Sequence, residues 1–540
     1  MHVERLDAGL GLWKIESETN GYLVVRGERS LLIDCPERTV GRALRAAGLP
    51  LPDTILHTQV QEEHCREWGD LAEARVYVAE ASADVATRSR RFFAECRTVW
   101  PPSREWESRG EEKYGLGGCT TERPPRRALN VAGTLRPDTT FRWKDVLLEV
   151  AALPGSGKRS IGLFWRDADI LFSGDLVRAG GFLVNFYDLE RSYGLPSGYD
   201  ELRRSIAAVR RLAPRTLLPS TGPAITHPKA DCERLLARIA WVYDPPKRRA
   251  TQACALTNYR PRREFGRYRE VADGVFQNNN AGNIILFVDE RGRGLMIDPD
   301  PCVWFSWETN VREVNGDLDL LEREAGLKRI EFALPTHYHG DHVEYVDLIR
   351  ERYGAKFLAT PDVAAVLERP KDFRYPCVVD WYGFPFDHVQ VDGRLAYGRP
   401  FLWHGVPIVP VHTPGHCYAH TGYFIRWKGL RIFCSGDVLQ YGAGPISVPL
   451  PVVYSDTAWP DRGVLVAFER IAALEPDLVL GGHSHSFFDR RGTILRHFCW
   501  AARQSLELAR DMIAGGDLLR AMTPPGYDEK RPEQDVPDCP

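Results

Sequence analysis

At 540 residues the chain is too long for one ordinary hydrophobic core, so two domains are expected. Its composition, 44% hydrophobic and 26% charged, is that of a soluble globular protein, and a formal charge of −3 argues against a generally basic nucleic-acid binder. Twelve cysteines without a C-x-x-C pair, a polar start (Glu4, Arg5, Asp7) and no run near the ~18 apolar residues of a membrane helix argue against a disulfide scaffold, a signal peptide and a membrane span, and lead us to expect a cytoplasmic protein.

In chain order, the first markers are LLIDCP (31–36), LHTQVQEEH (56–64), VAGTLRPDTTFRWKDVLLEVAALPGS (131–156) and ILFSGDLV (170–177). All four return in the same order in the second half. They reappear as LMIDPD (295–300), LPTHYHGDH (334–342), VDGRLAYGRPFLWHGVPIVPVHTPGH (391–416) and IFCSGDVL (432–439). The long pair aligns without a gap and sets Phe141 on Phe401, Trp143 on Trp403 and Pro154-Gly155 on Pro414-Gly415. A shared order of this kind marks a duplicated unit. Between the copies, 244–270 bears prolines and the basic residues Lys247, Arg248, Arg249, Arg260, Arg262, Arg263, Arg267 and Arg269. It reads as a solvated linker. After about Gly515 the chain is rich in proline and charge and reads as a disordered tail. The expected division is a first domain 1–243, a linker 244–270, a second domain 271–515 and a tail 516–540.

The second copy holds the chemistry. His337, His339, Asp341 and His342 form an H-x-H-x-D-H motif, with His416, Asp437 and His483 following at wide intervals. Chance would produce such a motif in this chain roughly once in a thousand cases, so a metal site is the preferred reading. Ile330 to Leu334 reads as a buried strand, and Val343, Val346 and Ile349 recur at helical spacing, so the motif lies on a strand-to-helix loop. Cys65, Trp68 and Leu71 take the same three positions in the first copy. Residues two apart in an extended segment face one way, so His337 and His339 can share an ion. Asp341 and His342 lie where the chain turns and can face a second. His416, Asp437 and His483 each follow a short apolar run, as expected for ligands at strand ends. Five imidazoles and two carboxylates suit two borderline divalent ions, most simply two zinc ions, with iron or manganese as alternatives.

The first copy has lost this set. In register, His337 becomes Gln59, His339 becomes Gln61, Asp341 becomes Glu63 and His416 becomes Ser156. His64 and Asp175 are kept opposite His342 and Asp437, and His483 falls on Thr221 or Gly222. Amides and hydroxyls are poor zinc ligands beside imidazole, so the first copy is expected to bind no zinc. Its expected role is that of an intramolecular pseudo-dimer partner. The oligomeric state is left open.

T-H-Y-H-G-D-H, H-T-P-G-H, S-G-D and G-G-H, in this order, resemble the metallo-β-lactamase superfamily. The resemblance spans most of 270–490, with degenerate counterparts over most of 1–243. It implies an α/β fold of two tandem αββα sandwiches, the second carrying the metals at one edge. It also implies that His337, His339 and His416 hold one ion, that Asp341, His342 and His483 hold another, and that Asp437 bridges them. The T-P-G-H element is similar to glyoxalase II and lactonase relatives. The tandem order, degenerate copy first, is similar to long-form RNase Z.

From charge, two divalent ions beside Asp341 and Asp437 leave a net positive centre that would generate hydroxide and polarise a substrate oxygen. The expected function is therefore a dinuclear zinc hydrolase in which metal-bound hydroxide attacks an ester, thioester or lactone carbonyl of a small-molecule substrate. Asp341 or Asp437 would steer the hydroxide or carry its proton. Tyr441 is the candidate acid by analogy with lactonases, with His485 and His420 as others. Two aromatic clusters, Trp304, Phe305 and Trp307, and Phe373, Tyr375, Trp381, Tyr382, Phe384 and Phe386, read first as core and second as pocket wall. Cys417 and Cys434 read as small buried filler. The alternatives are a phosphodiesterase or nuclease using the basic run for nucleic acid, and an iron-dependent oxygenase relative or metal-loaded scaffold.

Overall fold

The computed structural model describes residues 1–66, 69, 71–95, 123–190, 197–244, 260–278, 283–300, 307–373, 377–379, 384–417, 419–439, 446–452, 459–484, 486–513 and 518–523. Two compact units emerge. One runs to Tyr243 and takes back the segment that begins at Arg510; the other holds Asp244–Ala509. Both are mixed α/β sandwiches with the same strand plan.

In the first unit, antiparallel strands His2–Asp7, Leu12–Glu16, Asn20–Arg26 and Arg29–Ile33 lead into parallel Pro52–Leu56, Arg75–Ala79 and Val131–Leu135. A second sheet has the order Thr216–Pro219, Ile170–Gly174, Ile161–Trp165, Val146–Ala152, Thr140–Trp143. The second unit repeats this. Its larger sheet passes from antiparallel hairpins to parallel Arg293–Ile297, Arg329–Leu334, Lys356–Ala359 and Gly393–Arg394. Its smaller sheet is Phe401–Trp403, Val406–His412, Thr421–Trp427, Leu430–Gly436, Leu478–Gly481 and Phe487–Phe488.

Alternating apolar side chains of both sheets fill each interior. Leu31, Ile33, Leu148, Leu163 and Phe172 do so in the first unit, and Leu295, Ile297, Ile408, Tyr423 and Cys434 in the second. The outer face of each larger sheet is closed by helices, which gives the αββα order. Even polar details recur. Trp143 Nε1 donates to Asp53 Oδ1 at 3.0 Å, and Trp403 Nε1 donates to Glu331 Oε2 at 2.9 Å.

Two boundary expectations need correction. Arg263–Phe265 and Tyr268–Ala272, all but the last two residues of which were placed in the linker, are a hairpin of the larger sheet turning at Gly266. Tyr268 is fully buried, Arg263 pairs with Glu270, and Arg267 pairs with Asp317. The arginines had masked a strand alternation. Lys247, Arg248 and Arg249 lie outside the described residues. The tail is corrected at Leu518–Met522, a short helix that buries Leu518, Ala521 and Met522 at helical spacing. Leu183 N donates to Met512 O and Phe186 N to Ala521 O, which ties this segment to the first unit. After the first-copy motif, the described residues Gly69 and 71–73 form turns rather than the helix seen after the second. No described helix is long and apolar enough to cross a membrane.

Candidate metal centre

Strand Arg329–Leu334 delivers the motif to one edge of the second unit. The strand ends at Leu334, the chain bends at Thr336 and Tyr338, and a 3-10 turn closes over Gly340–His342 before helix Val346–Tyr353. Val343, Val346 and Ile349 are buried, and they anchor the turn. His416 follows strand Val406–His412, Asp437 follows Leu430–Gly436 and His483 follows Leu478–Gly481.

All seven side chains converge. The His337 ring lies 4.3 Å from His339, 4.0 Å from His342 and 4.8 Å from His416, centroid to centroid. His416 Nε2 is 3.1 Å from His339 Nδ1. On the other side, His483 Nε2 is 3.0 Å from Asp341 Oδ2. Asp437 lies between the two groups: its Oδ2 is 3.4 Å from His342 Nε2 and 3.6 Å from both His416 and His483. Two sets with metal-ligand spacing are His337, His342 and Asp437, and Asp341, His342 and His483. A third adds Cys417 Sγ to His337 and His339, although that thiol donates to Ala419 O at 3.6 Å.

The electrostatics suit cation binding. Burial, and then the neighbouring imidazoles, hold His337 and His339 far below the usual histidine range, so both keep a lone pair. Burial takes His416 down to about 4. Burial opposes charge on His342 as well, yet Asp437 and Asp298 push it up to about 10. Burial likewise disfavours the charged form of Asp341 and Asp437, and nearby histidines more than reverse that. His337 Nε2 is fully buried and has no hydrogen-bond partner among the described residues. An aromatic nitrogen left so is costly unless a cation satisfies it. The donor set and this orphaned atom therefore fit divalent ions.

Several supporting residues escaped the sequence reading. Asp298, at a positive φ of 49°, accepts from Thr336 N at 2.6 Å and Thr336 Oγ1 at 2.8 Å, and faces His342 Nδ1 at 3.0 Å. Thr336 Oγ1 meets His337 Nδ1 at 3.0 Å. Asn283 donates to Asp341 O at 2.7 Å and accepts from His483 N at 3.1 Å. A signal existed in the repeat. Asp34 grips Thr58 in the same way, and Asn20 holds Gly222 O in the first unit. Gly482 leaves room for the centre, because a Cβ there would lie 2.4 Å from Asp437 Oδ1.

Tyr441 and His485 lie outside the described residues. His420 is fully buried, stacked on His337 at 5.0 Å and bonded to Thr413 Oγ1, with burial keeping it neutral. That seals it away from a leaving group. Trp304, Phe305, Tyr375, Trp381 and Tyr382 also lie outside the described residues. Trp307 packs against Tyr345, Phe384 and Phe386.

In the first unit the register is settled: Pro219 pairs with Gly174 as Gly481 pairs with Gly436, so Thr221 is the counterpart of His483. Gln59 Nε2 and His64 Nε2 reach Asp175 Oδ2 at 2.5 and 2.8 Å, and Thr221 Oγ1 donates to Asp175 Oδ1 at 3.1 Å. Ser160 Oγ donates to Gln59 Oε1.

Comparison with known proteins agrees with this duplication. The model of the metallo-beta-lactamase superfamily matches twice, at residues 16–221 and 279–483. A hydroxyacylglutathione hydrolase from Rhizobium meliloti (strain 1021) is 25% identical over 150 residues, which cover 28% of this chain and 48% of that protein. A UPF0173 metal-dependent hydrolase from Thermococcus kodakarensis is 27% identical over 172 residues, covering 30% of this chain and 66% of that one. The chain thus spans about half to two thirds of the length of these relatives. Among solved structures, BJP-1, a subclass B3 metallo-beta-lactamase of Bradyrhizobium japonicum, is 15% identical, covers 47% of this chain and 97% of its own, and gives a TM-score of 0.33. With both halves matching one family in register, the chain belongs to the metallo-beta-lactamase superfamily.

Proposed function

We propose that the chain is a metal-dependent hydrolase whose second domain does the chemistry and whose first is a companion without zinc. One observation carries this reading: seven nitrogen and carboxylate donors meet at one sheet edge around the orphaned His337 Nε2, while in the first unit Gln59, His64 and Thr221 close directly on Asp175. His337, His339 and His416 would hold one ion, Asp341, His342 and His483 a second, with Asp437 between them. Zinc fits this set best. Bound there, the ions supply Lewis acidity, which acidifies water and polarises a substrate oxygen.

The chain's own residues do the rest. Asp298 and Thr336 fix the rings of His342 and His337 through their Nδ1 atoms, which aims each Nε2 into the centre. Asn283 pins the backbone of Asp341 and of His483. Asp341, kept ionised by His483, is placed to accept the proton of an attacking water. The substrate class we favour is a small ester, thioester or lactone, in keeping with relatives named hydroxyacylglutathione hydrolase. The phosphodiester reading would use the basic run, of which Arg263 and Arg267 are already paired with carboxylates.

The test is elemental analysis of the purified chain with parallel assays on thioester, lactone and phosphodiester substrates. His337→Ala should lower turnover at least ~100-fold, and Gln59→Ala should leave it unchanged. Equal losses would reject the asymmetry. Iron with oxygen uptake, or turnover of phosphodiesters alone, would replace this reading with another.

A further inference from the structure

The first unit keeps acidic residues where the metal centre has them, with Glu63 opposite Asp341 and Asp175 opposite Asp437. Asp188 adds a third carboxylate that is almost wholly buried. Buried carboxylates without a cation are strongly unfavourable. Asp175 has His64, which Asp175 pushes up to about 9 against the opposing effect of burial. For Glu63 and Asp188 the cation is Arg123. Its Nη2 donates to Glu63 Oε1 at 2.6 Å and its Nη1 to Asp188 Oδ1 at 2.8 Å. The guanidinium lies 4.7 Å from the centre of the Tyr187 ring. Its backbone is fixed too: Arg123 N donates to Gln61 Oε1 at 2.6 Å, and Arg123 O accepts from Glu62 N at 2.7 Å. Asn185 holds Asp188 in place through its side chain and its amide acceptor. Only 13% of the Arg123 side chain is exposed.

Arg123 therefore bonds the residues standing at two positions of the second unit's motif: Gln61 for His339 and Glu63 for Asp341. Glu62 N donates to Arg123 O as its counterpart Gly340 N donates to Cys377 O, so the second unit has no cationic side chain at that position. We propose that Arg123 is a resident cation that substitutes for a metal ion in the first domain, clamping Glu63 and Asp188 so that this domain is charge-balanced without metal. The proposal deepens the reading of the first domain as zinc-free and rests on it. The guanidinium fork suits the role, since it meets two carboxylates with directed donors and cannot lose its proton.

The test uses the full-length chain and two readouts, thermal melting and metal per chain. Arg123→Ala should lower the first-domain transition by roughly 10 °C. Adding Glu63→Gln and Asp188→Asn to that variant should recover at least half of the loss, because the unpaired charges are then gone. If Arg123→Ala does not fold, the triple variant decides: a folded triple variant supports the proposal and an unfolded one overturns it. Melting of Arg123→Ala within about 2 °C of the parent, or a triple variant no more stable than the single, also overturns it. Metal content is read separately in a variant with all five histidine ligands of the second unit changed to alanine. Metal retained there would sink the zinc-free reading of the first domain, and the melting series would still report on the clamp.

Discussion

Asp298 holds a loop and a ligand with one carboxylate. Its oxygens fasten Thr336 and meet His342 Nδ1, so the ring that faces Asp437 is oriented from behind. Asp298→Asn should weaken metal binding about 10–100-fold in a competitive chelator titration. Asp34→Asn, the same change in the first unit, should leave metal affinity untouched. His64 gives a pH prediction in the first unit. Its folded value of about 9 lies above the ordinary 6.5. The stability it contributes is therefore fully present below pH 6.5 and is lost as pH rises through 9. Urea midpoints of the first-domain transition should fall across that window, and the fall should be smaller in His64→Gln. At this scale the sequence was legible where spacing carries information. Three histidines and an aspartate within six residues declare themselves. Asp298, Asn283 and Arg123 do not, because a lone polar residue, whether beside an apolar run or in a polar loop, has no period. The first two surface only when the halves are overlaid, and Arg123 has no charged counterpart to be overlaid on.

Among the elements, the strand ends place the ligands and the glycines set how closely the layers approach. Gly415 has φ of 123°, and a Cβ there would lie 2.4 Å from Val464 N at the start of helix Val464–Ala473. Gly155 has φ of 148° and would meet Leu202 Cα at 2.9 Å in helix Gly198–Leu212. Each change to alanine should cost about 1–3 kcal/mol by urea unfolding. Only Gly415→Ala should also lower metal occupancy, because His416 is its neighbour. These glycines were readable as the shared P-G of the long repeat. The hairpin Arg263–Ala272 was not, because its alternation is written in arginines whose charges are cancelled by Glu270 on the paired strand and by Asp317 of helix Trp307–Glu324. Sequence reading scores a charge as exposed until its partner is known.

The whole molecule is two copies of one sandwich, and the order of markers made the duplication plain from sequence. What could not be read was where the chain ends up after Arg510, since a short helix with three buried residues has no signal against a polar background. A chain stopped after Ala509 should keep the second unit's metal but show a lower melting temperature or a loss of solubility, because Leu183 N and Phe186 N lose their acceptors. Calorimetry with and without chelator separates the two effects.

That closing segment also bears on biosynthesis. The first sandwich is completed by the segment that begins at Arg510, translated long after Tyr243. At ribosomal speeds of about 5–20 residues per second, the gap amounts to tens of seconds. Throughout it, a nearly finished first sandwich would wait with one seam open for the segment that begins at Arg510.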